Sequence, residues 1–143
     1  PEKDAFYKAM IDWLYVWYSE QDFPTMRFDD ISKMPNQIRV KAKSPLCHTS
    51  VSSWATAAEE EVTSDAKKER CAKVSGEVVY TVVDKLNEHF AGRWDPPAWQ
   101  PEEGYAKCVR CHGPNNALHK HTPMNEQQGH MDCLMCHVDD HGR

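Results

Sequence analysis

The sequence predicts a mainly α protein: a small body of three helices followed by an irregular, ligand-rich carboxy-terminal segment. Three observations predict it. Apolar residues recur at helical spacing in three stretches before residue 92. No alternating strand pattern stands out anywhere. Four of the six Cys and six of the eight His fall after residue 100. That shift separates a helical body, residues 1–92, from a proline-rich connector and tail, residues 93–143, read together as one folded unit.

The 143 residues are 40% hydrophobic and 27% charged, a globular balance in a chain long enough for one core. A formal net charge of −5 argues against nucleic acid as a partner. No run approaches the ~18 apolar residues of a membrane span. The nearest, residues 11–18, is broken by Asp12, Tyr15 and Tyr18. The chain opens at Pro1 without a Met or an apolar leader, as an exported protein does after signal-peptide removal. A periplasmic or extracellular location is therefore expected.

The first helix is expected over residues 2–19, where Phe6, Met10, Trp13, Leu14 and Trp17 form an aromatic stripe. Core packing is the plain reading of that stripe; a docking face for a partner or a haem edge is the sharper one. Residues 21–43 lack periodicity and read as an irregular connection. Ser44 and Pro45 suit the N-cap and first position of a second helix reaching about Glu60, with Cys47, Val51, Trp54 and Ala58 on one face. Thr63-Ser64 opens the longest helix, along which Cys71, Val74, Val78, Val82, Leu86 and His89 recur. Gly92 stands where a left-handed C-terminal cap belongs. From Trp94 to Pro101 the chain is too proline-rich for helix or central strand, and its tryptophans are expected to pack on something flat.

The tail carries the chemistry. Cys108-Val109-Arg110-Cys111-His112 and Cys133-Leu134-Met135-Cys136-His137 are two complete C-x-x-C-H motifs. Two thiols at that spacing can each form a thioether to a haem vinyl group, and the adjacent His then reaches the iron. The motifs thus predict two covalently attached haem c groups, with His112 and His137 as proximal ligands. Zinc is the competing reading, since 21 residues lie between the two pairs, just beyond a common ribbon spacing. A zinc ribbon does not require His after both second cysteines, and it leaves the other histidines without a role.

Each iron has a second axial position. His121 and His130 are the first choices because they lie between the attachment sites, and His130 stands three residues before Cys133. His119 and His141 are further candidates in the tail, His48 and His89 in the body. Met124, Met131 and Met135 are also available. The surplus of histidine favours bis-His ligation, which implies a lower reduction potential than His/Met.

The run Cys47-His48-Thr49-Ser50-Val51-Ser52-Ser53-Trp54, then Glu69-Arg70-Cys71-Ala72, then the two attachment motifs resemble the split-Soret cytochrome c group. That group is related to redox proteins named for a C-GCAxxG-C-C pattern. The resemblance covers roughly residues 45–137. It implies a mainly helical dimer with two close haems per chain, bis-His ligation that can cross between subunits, and an iron–sulfur centre on the remaining cysteines. His48 is the distal-ligand candidate it adds. The amino-terminal cysteines of the pattern are absent, and Ala55 follows Trp54. Cys47 and Cys71 alone cannot supply four thiolates. Periodicity turns both inward, and in an oxidising compartment a disulfide between them is the plainest reading. Two free thiols, or a cluster shared across a dimer, are the alternatives.

The expected function is that of an electron carrier with no catalytic residues, serving redox partner proteins as a homo-oligomer, a dimer or a filament. A subunit of a haem-stacked filament is the second expectation, because few tail residues remain to insulate the haems. A haem reductase is the third, and it requires an open iron position.

Overall fold

The computed structural model describes residues 2–100. The chain divides into two units, Pro1–Ala98 and Trp99–Arg143, and every element below belongs to the first. Helices α1 (Glu2–Glu20), α2 (Cys47–Ala58) and α3 (Asp65–Phe90) dominate it, so the mainly α reading is correct. The haem-attachment motifs, His119, His121, His130 and His141 lie outside the described residues.

On α1 the aromatic stripe faces inward as its spacing requires. Met10 is buried, and Trp17 meets Phe23 edge-on at 5.5 Å between ring centroids. Phe23 is fully buried and follows a turn into a ladder that the sequence did not announce: β1 (Asp22–Phe23) pairs antiparallel with β2 (Val40–Lys41). Two residues per strand are too few to show a period of two, so pattern reading could not find them. The ladder closes the irregular connection into a loop and delivers Ala42 and Ser44 to the core, each 1% exposed.

The expected start of α2 is corrected. Ser44 is not its N-cap and Pro45 is not its first position; the helix begins at Cys47, with Leu46 as an N-cap that has no side-chain acceptor. Ser44 is buried, and its Oγ instead accepts the Leu46 N–H at 3.2 Å in a local turn. The stripe on α2 holds from Trp54, which is buried, but Cys47 in the first turn is exposed. Periodicity identifies a face; it does not say how far along the helix that face is covered.

Helix α3 starts where expected. The Ser64 Oγ accepts the Lys67 N–H at 3.1 Å, satisfying one of the free donors of the first turn. Replacing Ser64 by Ala should cost about 1 kcal/mol of stability by urea titration, with Ser64→Asp retaining it. At the far end Gly92 adopts φ +67. Its N–H donates to the His89 carbonyl at 2.8 Å and the Arg93 N–H to the Glu88 carbonyl at 2.9 Å, a complete Schellman turn.

The deepest residues of α3 are not those the apolar period selects. Val74 is buried, but so are Arg70, Lys73 and Glu77. The reason is the connection between the strands, which lies along this helix and is held by polar side chains one turn apart. Glu69 accepts from the Ser32 hydroxyl at 2.8 Å and the Lys33 N–H at 2.9 Å. Lys73 donates to Asp29 and to the Met34 carbonyl, both at 2.7 Å. Glu77 accepts the Thr25 N–H at 2.8 Å. Gly76 lets the segment come close: a Cβ there would stand 2.9 Å from the Phe28 ring. The irregular segment thus obtains from α3 the hydrogen bonds it cannot make for itself.

Candidate functional site

Two histidines and two cysteines of interest lie among the described residues, and the fold treats each differently. Cys47 is exposed and Cys71 half-buried, and both are free thiols. The expectation that Cys47 faces inward is therefore wrong. His48, beside it in the first turn of α2, is also exposed. The next turn is anchored from α3: Arg70, 1% exposed, donates to the hydroxyl of Ser50. That bond ties the Cys47 end of α2 to the turn of α3 that bears Cys71. Arg70 Nε has no acceptor among the described residues, so within them this buried guanidinium holds the two helices at the cost of an unpaired donor.

His89 is far more constrained. It sits in the last turn of α3, its ring stacked on Phe6 of α1 at 4.0 Å between centroids and 21° between planes. Its Nδ1 lies 2.8 Å from a carboxylate oxygen of Asp95 and 3.3 Å from the Trp94 carbonyl. Both neighbours can only accept, so Nδ1 carries the hydrogen. The Gly92 turn brings Asp95 back to the helix end, and Trp94 is seated against Trp13 at 5.1 Å, edge to face. The expectation that the connector's tryptophans pack on a flat partner is met by Trp94. Asp95 is the residue sequence reasoning missed; Phe6 was read only as one member of the aromatic stripe. The only signal for Asp95 is its place six residues after His89, across a predicted turn.

Electrostatics along the α3 seam are uneven. The hydrogen bond from Lys73 holds Asp29 below the usual carboxylate range, with the Asn36 N–H assisting. The Ser32 hydroxyl does the same for Glu69, together with the Lys33 N–H. Glu77 goes the other way: burial raises it, against the Thr25 N–H and the charges of Arg27 and Lys73. No three His, Cys, Asp or Glu side chains converge on a metal-sized space among the described residues. No described helix is long and apolar enough to cross a membrane.

No family model matches the chain. It is similar to the split-Soret cytochrome c of Desulfovibrio desulfuricans (strain ATCC 27774 / DSM 6949 / MB), with 26% identity over 131 residues. That match covers 90% of this chain and 45% of the relative. The fold is similar to a solved split-Soret cytochrome c from Desulfovibrio desulfuricans ATCC 27774, described as holding a novel iron centre. The TM-score is 0.64 at 23% identity, covering 94% of this chain and 55% of that one. The resemblance read from the Cys47–Trp54 run is thereby borne out, and the chain spans about half the length of the proteins it matches.

Proposed function

We propose that this chain is a dihaem c-type cytochrome that exchanges single electrons with redox partner proteins outside the cytoplasm. The observation that carries the reading is the pair of complete C-x-x-C-H motifs in a chain similar to a split-Soret cytochrome c. Cys108, Cys111, Cys133 and Cys136 hold the haems through thioethers, and His112 and His137 ligate them. Haem iron supplies the reversible one-electron step. The protein's task is to keep both axial positions filled, so that no open iron invites reductase chemistry, and to hold the haem edges near a partner. His121, His130, His119 and His48 are the distal donors named by the sequence, and bis-His ligation follows if two of the chain's non-attachment histidines serve. Assembly into a dimer or filament rests on the same shortage of tail residues to cover two porphyrins.

Cys47 and Cys71 are the two thiols left over. Both are free in the structure; the sequence reading also allows a disulfide between them or an iron centre that a second chain completes, and the three cases are chemically distinct. Alkylation of both thiols under non-reducing denaturing conditions rules out the disulfide. Iron above two atoms per chain marks the shared centre.

The test of the main reading is direct. Denaturing mass spectrometry of the exported protein should show the 16.5 kDa chain plus two haem masses that survive acid–acetone extraction. Near-infrared magnetic circular dichroism should show bis-His signals and no methionine–iron charge-transfer band. A bare chain, or one that binds a single zinc, removes the proposal.

A further inference from the structure

We propose that the outer face of α3, from Val79 to Phe90, is the surface on which a second copy of this chain docks, helix against helix about a two-fold axis.

Helix α3 is turned partly inside out. Its inner positions carry Arg70, Lys73 and Glu77 beside Val74, all buried, while valines and a phenylalanine stand in water. Val79 is 63% exposed, Val83 51% and Phe90 78%, and Leu86 between them is half-buried. These four positions are spaced by four, three and four residues. That is the 3.5-residue repeat of a seam that meets another helix. On a solvated helix face, β-branched residues lose rotamer freedom and gain nothing without burial. Toward its start the seam is closed within the body. Phe28 lies so close to Gly76, three residues before Val79, that a Cβ there would stand 2.9 Å from its ring. Toward its end the apolar surface widens, because α1 joins at the Phe6–His89 stack and Tyr7, next to Phe6, is exposed.

The occupant follows from area and charge. Tyr7, Val79, Val83 and Phe90 together offer on the order of 500 Å² of surface, the size at which a patch marks an interaction site. With a polar rim it approaches the ~800 Å² that each partner contributes to a stable interface. The seam has no charge of its own, and its flanks on α3, Ser75, Tyr80, Val82 and Asn87, have none either. An acidic or basic partner finds nothing there to pair with. A second copy does. A closed two-fold interface needs a surface complementary to itself, and an uncharged apolar helix seam meets that requirement. Charge begins at the rim beyond Tyr80, where the Arg27 guanidinium sits 3.8 Å over the ring. Two-fold pairing uses the seam up, so it closes as a dimer and does not by itself extend into a filament. The inference goes beyond the proposed function and needs no haem, since every residue it uses lies in the helical body.

The experiment uses the full haem-loaded chain. Sedimentation equilibrium at micromolar concentration should give twice the mass of one chain. Val83→Glu should weaken the association on the order of 100-fold or more, because it puts like charges into the centre of one apolar interface. Val83→Lys should do the same, and the two variants mixed one to one should recover the dimer mass. Phe90→Ser is the milder change: it should weaken the association about tenfold or more, with helix content by circular dichroism unchanged. Where Val83→Glu fails to accumulate, Phe90→Ser decides. A wild-type chain that is monomeric throughout overturns the proposal. So does a dimer indifferent to the Val83 and Phe90 substitutions, which uses another surface. A loss of helix content in Phe90→Ser also overturns it, because the face is then covered within its own chain. Glu and Lys variants that stay apart when mixed overturn the helix-against-helix arrangement. The readout is mass, so the ligation of either haem does not enter.

Discussion

Trp54→Ala is expected to remove about 3–5 kcal/mol of stability, a large part of what a single domain possesses. The indole is 2% exposed, on the face of α2 that packs against β2. Its Nε1–H donates to the Ile38 carbonyl at 3.0 Å, just before the strand. Truncation would therefore open a cavity in the centre of the body and leave a carbonyl without its donor. Trp54→Phe separates the two effects: it retains most of the ring and loses only the hydrogen bond, about 1–3 kcal/mol. Urea unfolding followed by far-ultraviolet circular dichroism, at equal haem loading, measures both. A loss below ~1 kcal/mol in the alanine variant would show that α2 is held by its ends rather than by this side chain.

Trp54 is also where sequence and structure agree most closely. It closes the run that carries the family resemblance, and it is the largest buried side chain on its helix. The three helices were legible because each is long enough for a period of 3.6 to repeat. Ser64 and Gly92 were legible because each meets a local demand, one for an acceptor and one for positive φ. Ser44 failed for the complementary reason. The same residue type can cap a helix or close a turn, and which it does depends on a strand register in which nearby Val40 pairs with Phe23, much earlier in the chain. The buried face of α3 was illegible in a deeper sense. A stripe of Glu69, Lys73 and Glu77 reads as solvated surface until a non-periodic segment is known to lie on it.

The candidate site divides along the same line. The attachment motifs are contiguous and need no fold to be recognised, whereas a distal ligand is defined by what surrounds it. Eight histidines look alike in a sequence. Only the structure shows that His89 is stacked and hydrogen-bonded at one nitrogen while His48 stands exposed. His121 and His130, the first choices by closeness in sequence to the attachment sites, lie outside the described residues.

Glu77 should give the body a pH response opposite to that of the other carboxylates on the seam. It is 1% exposed; Oε1 accepts the Thr25 N–H, and Oε2 has no partner among the described residues. Burial raises its folded-state pKa above the ordinary value of 4.5, although Thr25, Arg27 and Lys73 oppose the shift. The sign follows. Well below the ordinary value of 4.5 the carboxyl is protonated in both folded and unfolded chains, and its contribution is fully present. As pH rises through the folded-state value, the unfolded chain releases its proton first and the contribution is lost. Each tenfold preference of the folded state for the proton is worth about 1.4 kcal/mol at the upper plateau. Asp29 and Glu69, both lowered, act in reverse: their contribution is present above the ordinary carboxylate range and lost as acid protonates them. The wild-type profile sums these terms, so the test is a difference. Glu77→Gln keeps an acceptor for Thr25 and cannot ionise. Relative to wild type it should gain stability as pH is raised from 4 to 8, levelling off above the folded-state value, with the two chains differing least at the acid end. Paired urea titrations across that range measure the gap. A gap that stays constant with pH, or widens toward acid, would mean that Glu77 is ionised in the folded chain as readily as in water.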